Sequence, residues 1–416
     1  MKTLSVESFS TIKHAHVELG RLTVLIGPQA SGKSLISKLI YFCNTILNRH
    51  LGFIERDKSV EAFQSSIAGE FDRWFPPLAR GASHFKITFN IGPFQYSLEQ
   101  AKPEASLSVT FSDAFRRVYD ENRKLWNTLR RKLADQANPD LTNEKDLEIV
   151  VRFRGAARAS YEKILGNDYY LSQVFIPAGR SYFTTLGGLI SAFEQPGLLD
   201  SVTRTFGRRY LRIRERLRDP RFSKRMKHSS DLVREFFGGA ITYEGDAEFI
   251  STPDGRKLPF SLLSSGQQEL LPLLMTLDDS RAPRTLVFIE EPEAHLFPTG
   301  QTMLTKHLAS LVRADDRSAH LFITTHSPYV LAQINNLMKA GTLAKKLPTL
   351  RKRIAHIVAE RSWLDPGDVR AYALHEGECK SLLADGLIDA VYLDEVSSAI
   401  STEFSELLEL EIENED

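Results

Sequence analysis

Eight consecutive residues, Gly27-Pro28-Gln29-Ala30-Ser31-Gly32-Lys33-Ser34, match the pattern G-x-x-x-x-G-K-S. The glycines let backbone N–H groups close around phosphate oxygens, and the start of a following helix adds a favourable dipole. All eight are candidate nucleotide contacts. In this pattern Lys33 reaches the β- and γ-phosphates, and the Ser34 hydroxyl binds Mg2+. A second stretch, Leu286-Val287-Phe288-Ile289-Glu290-Glu291-Pro292, ends an apolar run in two carboxylates. Beside a phosphate-cradling loop, Glu290 is placed to support the metal and Glu291 to polarise an attacking water. A third, Leu263-Ser264-Ser265-Gly266-Gln267-Gln268-Glu269, reads as a polar turn opening a helix, with Ser264 or Ser265 as N-cap. A fourth, Thr324-Thr325-His326-Ser327-Pro328, follows another apolar run. A lone histidine is more often structural than functional. His326, however, falls at the C-terminal end of an expected strand, where α/β sheets bind ligands.

These residues need a scaffold, and the hydrophobic pattern supplies one. Leu22-Thr23-Val24-Leu25-Ile26 reads as a short buried strand leading into the loop. From Lys33 to Asn48 the apolar positions Leu35, Ile36, Leu39, Ile40, Cys43, Ile46 and Leu47 follow a helical period. Residues 85–89 and 94–111 alternate like antiparallel strands around a Gly92-Pro93 turn. Residues 113–170 and 181–237 look helical, with a short strand at 173–176 between them. Residues 241–260 look like a hairpin turning at Pro253-Asp254-Gly255. The continuous apolar runs 286–289 and 321–324 suit a parallel sheet covered on both faces.

The chain has 416 residues, enough for two or three units or for one core with large insertions. Its 53 Lys and Arg balance 53 Asp and Glu, which excludes a uniformly basic nucleic-acid coat and an acidic disordered chain. Two cysteines exclude a disulfide scaffold and a Cys-rich zinc module, and they suit a reducing, cytoplasmic compartment. No signal-like N-terminus and no run of 18 apolar residues occurs, so no membrane partner is expected. Charge is uneven locally. Residues 201–228 carry net +9, and residues 381–416 carry net −11 with no Lys or Arg. The basic run from Arg204 to Lys227 has two readings: a surface for nucleic acid or an acidic partner, or a solvated helix face paired with nearby acids. Charge runs more often mean the second, and aromatic interleaving is sparse here.

The order of the four motifs (loop, Ser-Ser-Gly-Gln, paired Glu, His) resembles the ATPase heads of the ATP-binding-cassette class. The wording narrows this further. Glu290-Glu291-Pro292-Glu293-Ala294-His295-Leu296-Phe297-Pro298 and Ile176-Pro177-Ala178-Gly179-Arg180 resemble segments of OLD-type AAA ATPases, a head shared by the ATPase subunits of anti-phage systems such as Septu and PARIS. The resemblance implies an α/β fold, with a mixed sheet, an antiparallel β subdomain and a helical insertion. It implies that Ser264, Ser265, Gly266 and Gln267 form the signature loop and that His326 reads the γ-phosphate. Two chains would then close head to tail around ATP and Mg2+, with Lys33, Glu291 and His326 catalytic. Arg180 falls where transporter ATPases place a glutamine, and Ser265 replaces the first signature glycine. Pro272 is expected to bend the helix after the signature or delay its start.

From this follow four segments: 1–112 and 238–345 as the two halves of the head, 113–237 as a mainly helical lobe, and 346–416 as an acidic extension. The helical lobe is too short for a long coiled-coil arm; at about 1.5 Å per residue even one continuous helix reaches only about 190 Å. Few residues follow His326 and no D-x-D strand pattern is present, so a separate effector nuclease or toxin is expected on another polypeptide. The alternative is a DNA-bound repair or recombination ATPase.

Overall fold

The computed structural model describes residues 2–81, 84–102, 105–134, 142–185, 199–219, 230–245, 247–280, 284–312, 319–389, 401–403 and 405–407. Its strands are β1 (Lys2–Phe9), β2 (Ile12–Leu19), β3 (Leu22–Ile26), β4 (Phe85–Ile91), β5 (Phe94–Gln100), β6 (Ser108–Phe111), β7 (Ser172–Ile176), β8 (Ala240–Glu244), β9 (Ala247–Ser251), β10 (Lys257–Pro259), β11 (Thr285–Glu290), β12 (His320–Thr325), β13 (Val369–His375) and β14 (Glu378–Ser381), followed by a two-stranded ribbon at 383–388. The main sheet has eleven strands in the order β6-β5-β4-β1-β2-β14-β13-β3-β12-β11-β7. The β13-β3-β12-β11-β7 half is wholly parallel. The β6-β5-β4-β1-β2 half is antiparallel. The expected α/β class, with a mixed sheet, an antiparallel β region and helical insertions, is the one observed.

Strand alternation decides which helix lies on which face. Leu25 of β3, Phe288 of β11 and Phe322 of β12 face one core, together with Ile36, Leu39 and Ile40 of the helix Lys33–Ile54. Val24, Ile26, Val287, Ile289, Leu321 and Ile323 face the other, with Leu270, Leu271 and Leu274 of the helix Ser265–Asp279. The phosphate-loop helix and the Ser-Gly-Gln helix therefore pack on opposite faces of the same parallel strands.

Two expectations need correction, and a third is narrowed. Residues 346–416, set apart as an extension, contribute β13 beside β3 in the middle of the sheet. The run Val369-Arg370-Ala371-Tyr372-Ala373-Leu374 is mostly buried, but its mixed composition hides it among predicted strands. The hairpin over 241–260 is a three-stranded meander. Its second turn lies at the expected Pro253-Asp254-Gly255, where Gly255 takes φ 87°, and its first at Gly245 with φ 59°. Pro272 does not delay its helix, which begins at Ser265 and runs through the proline.

Proline lacks an N–H, so the carbonyl four residues earlier loses its helical donor. That carbonyl belongs to Gln268, and the buried Thr184 hydroxyl donates to it at 2.7 Å. Thr184→Val keeps the shape and removes the donor. It is expected to destabilise the fold by about 1–2 kcal/mol, seen as a lower denaturant midpoint with unchanged slope. An unaltered midpoint would mean that the carbonyl has another donor. Among the described residues, no helix is long and apolar enough to cross a membrane.

Candidate nucleotide site

β3 ends at Ile26, and the chain turns through Gly27–Gly32 into the helix starting at Lys33. The turn depends on its glycines. A Cβ on Gly27 would lie 2.2 Å from the Leu374 carbonyl oxygen of β13. Gly32 precedes the helix at φ 102°, a left-handed conformation that glycine adopts without a steric penalty. Pro28, Gln29, Ala30 and Ser34 are exposed, Ser31 and Gly32 half-buried, and Lys33 is buried. Lys33 Nζ donates to the carbonyls of Gly27 (2.8 Å) and Pro28 (2.7 Å) and lies 3.5 Å from His326 Nδ1. Burial lowers its pKa, and the nearby Glu291, Glu293 and Glu290 carboxylates oppose that shift.

β11 and β12 are adjacent and in register, so their C-terminal ends lie side by side. That adjacency brings Glu291 to His326: Oε1 lies 3.1 Å from Nε2. Glu291 takes φ 43°, unusual for a residue with a side chain, and its N–H donates to the Thr324 carbonyl at 2.9 Å. Glu293 holds the histidine turn. Its Oε1 accepts from the Thr325 hydroxyl (2.6 Å) and the His326 backbone N–H (2.9 Å). Glu293 was legible only as a letter of the E-E-P-E motif; its partner lies across a strand gap that sequence spacing does not show.

Glu290 is buried behind this cluster. Its carboxylate accepts from the Ser37 hydroxyl (3.3 Å) and the Ala178 N–H (3.3 Å). Ser37 is one helical turn beyond Ser34 and went unnoticed in the sequence. The exposed Ser34 hydroxyl and the carboxylates are hard oxygen donors of the kind Mg2+ takes. Among the described residues, no group of three or more His, Cys, Asp or Glu can cage a metal.

A cavity of about 530 Å3 opens over the loop, lined by Gln29–Ser34, Glu291 and His326 on one side. The other side is formed by Ser10 and Thr11 of the β1–β2 turn and by Trp74, Phe75 and Pro76. None of these last five carried a signal in the sequence.

The Ser-Ser-Gly-Gln loop lies elsewhere. Ser264 caps its helix, accepting from the Gln267 N–H, while the Gln267 side chain accepts from the Ser264 N–H. Gly266 passes so close to His295 that a Cβ would lie 2.6 Å from its carbonyl oxygen. Ser264, Ser265, Gly266 and Gln267 line a separate cavity of about 600 Å3 with Phe236, His295 and Phe297, and it shares no residue with the first.

Arg180 is fully buried. Its guanidinium donates to the carbonyls of Glu290 (2.6 Å), Glu291 (3.0 Å) and Pro177 (3.0 Å) and pairs with Glu269. It does not line the cavity. Of the basic run, Arg209 and Arg216 both bond Asp279 (2.8 and 2.6 Å), and Arg214 bonds Glu248 (3.0 Å). These three agree with the paired-face reading. Arg221, Lys224, Arg225, Lys227 and the end of the acidic stretch lie outside the described residues.

A parallel strand, a glycine-bounded phosphate loop, a helix and an acid-tipped neighbouring strand define a P-loop nucleoside triphosphatase head. The match to a family model agrees: residues 22–332 fit the family described as "AAA domain, putative AbiEii toxin, Type IV TA system", and the chain belongs to it. No curated protein matches the sequence. Among solved structures, an SMC head bound to the C-winged helix domain of ScpA is 14% identical, covering 91% of this chain and 95% of that one at a TM-score of 0.41. The SMC head domain from Thermotoga maritima is 14% identical over 92% and 98%, with a TM-score of 0.37. The Smc head with an extended coiled coil, bound to the C-terminal domain of ScpA derived from Pyrococcus furiosus, is 12% identical over 97% and 99%, with a TM-score of 0.38.

Proposed function

We propose that the chain hydrolyses ATP at a site completed by a second copy of itself, and that it acts as the sensor or restraint of a bacterial anti-phage complex whose effector is another polypeptide. The observation that carries the ATPase reading is the Lys33–His326–Glu291 cluster, 3.5 and 3.1 Å apart, at the mouth of the phosphate loop. The backbone N–H groups of Gln29–Ser34 and the Lys33 ammonium bind the β- and γ-phosphates. Glu291 takes the proton of a water aimed at the γ-phosphorus, and the γ-phosphate departs from ADP as inorganic phosphate. His326 holds Glu291 in place and senses whether the γ-phosphate is present. Ser34 and Glu290 would hold Mg2+, which when bound would neutralise phosphate charge.

The need for a second copy is supported by the separation of the two cavities. Ser264–Gln267 open the helix packed on the opposite sheet face, which leaves the phosphate-loop cavity free to receive the Ser-Gly-Gln loop of a second copy. The defence reading draws on the family's printed description, which names a toxin–antitoxin system; the separate effector rests on the sequence reading alone.

Complementation tests the shared site. Lys33→Ala and Gly266→Trp proteins are each expected to be inactive. Mixed, they form heterodimers with one intact composite site, and turnover returns. A mixture as silent as its components, when both variants fold, would sink the two-copy proposal.

A further inference from the structure

We infer that Arg180 and Glu269 are positioning residues: a buried link through which the Ser-Gly-Gln helix sets the aim of Glu291. This rests on the ATPase reading above and deepens it. Glu269 lies in the second turn of that helix and is almost fully buried. Its carboxylate accepts the backbone N–H groups of Arg180 (2.8 Å) and Ser181 (3.0 Å), and its own carbonyl accepts from Arg180 Nε (3.2 Å). One residue of the helix is thus bound to Arg180 at two points and to Ser181 at a third. At the other end, the guanidinium fork holds the successive carbonyls of Glu290 and Glu291.

Those carbonyls flank the backbone of a strained residue. Glu291 sits at φ 43° and persists there only while its surroundings over-determine it. Its N–H is held by Thr324 and its carbonyl by Arg180 (3.0 Å) and by the Ala294 N–H (3.1 Å); Pro292 follows and offers no N–H. The Ala294 contact is local to the turn, whereas Arg180 ties both carbonyls to Glu269 and so to the Ser-Gly-Gln helix. A guanidinium is suited to this because it is planar and bears five donors, whereas an ammonium is a point charge that cannot span both carbonyls and Glu269 together. A shift of the Ser-Gly-Gln helix moves Glu269, hence Arg180, hence the peptide that aims the Glu291 carboxylate at His326 and the γ-phosphate. A partner that presses on Ser264–Gln267 would be felt at the base without touching it.

The link predicts a split between binding and turnover. Arg180→Lys is expected to lower kcat by about 100-fold, the scale of a roughly 1 Å misplacement, with the Kd for a fluorescent ATP analogue within about threefold of wild type. In the Glu291→Gln background the same change should cost nothing further, because its effect runs through that carboxylate. Glu269→Gln, nearly isosteric, should act in the same direction by about tenfold and serves where Arg180→Lys folds poorly. Additive losses in the double variant, or equal loss of affinity and kcat, would overturn the link and leave the ATPase reading standing. A wild-type protein that neither binds nor hydrolyses ATP would overturn both.

Discussion

Glu291→Gln is expected to bind ATP with unchanged affinity and to turn it over about 100- to 1,000-fold more slowly. Glutamine keeps the length of the side chain and can still hydrogen-bond His326, 3.1 Å away, so the cavity retains its shape. What it loses is the ability to accept a proton. The loop N–H groups and Lys33 are untouched, which leaves the binding step intact. A protein that binds but does not cleave should accumulate with both chains closed on ATP. Size-exclusion chromatography with ATP and Mg2+ should then show a dimer that the wild type loses as it hydrolyses. Turnover above one-tenth of wild type would move the base to another residue, His326 first.

Lys33→Ala is expected to remove nucleotide binding itself. Truncating one partner of a desolvated charge pair costs about 2–5 kcal/mol, at least about 30-fold in Kd. The electrostatics deepen the loss. Lys33 shares with the buried Arg180 the Glu290, Glu291 and Glu293 carboxylates, but of the two only Lys33 lines the cavity, and without it the cavity would present a more negative field to the triphosphate. Lys33 also ties the carbonyls of Gly27 and Pro28, so circular dichroism should accompany the titration to show that the loop change is local. Calorimetric binding within threefold of wild type would mean that the triphosphate docks somewhere other than this loop.

The phosphate loop, the carboxylate-tipped strand and the histidine strand were legible because each is a local pattern. A glycine-bounded turn between an apolar strand and a periodic helix, or an apolar run ending in acids, states its chemistry within ten residues. The helix cap was legible for the same reason only as a choice between Ser264 and Ser265; the structure selects Ser264 and adds the reciprocal Gln267 bond. β13 was not. Its seven residues look like an unremarkable mixed segment until β3 is seen to need a parallel neighbour on that side. Arg180 was visible as a letter in a motif and suggested a loop residue near the ligand. The structure buries it fully and makes it a clamp on two backbone carbonyls.

By itself, then, the order of residues determined which groups the proposed chemistry would draw on: the Gly27–Ser34 loop, the Glu290–Glu291 pair and His326. Tertiary structure alone decided how they meet. The register of β11 on β12 sets Glu291 against His326, and Glu293 locks the histidine turn. Strand alternation sends the Ser-Gly-Gln helix to the opposite face of the sheet from the phosphate loop. The physical reason is that side-chain identity is encoded one position at a time, whereas proximity across a sheet depends on register and face, which are settled by burying two cores at once.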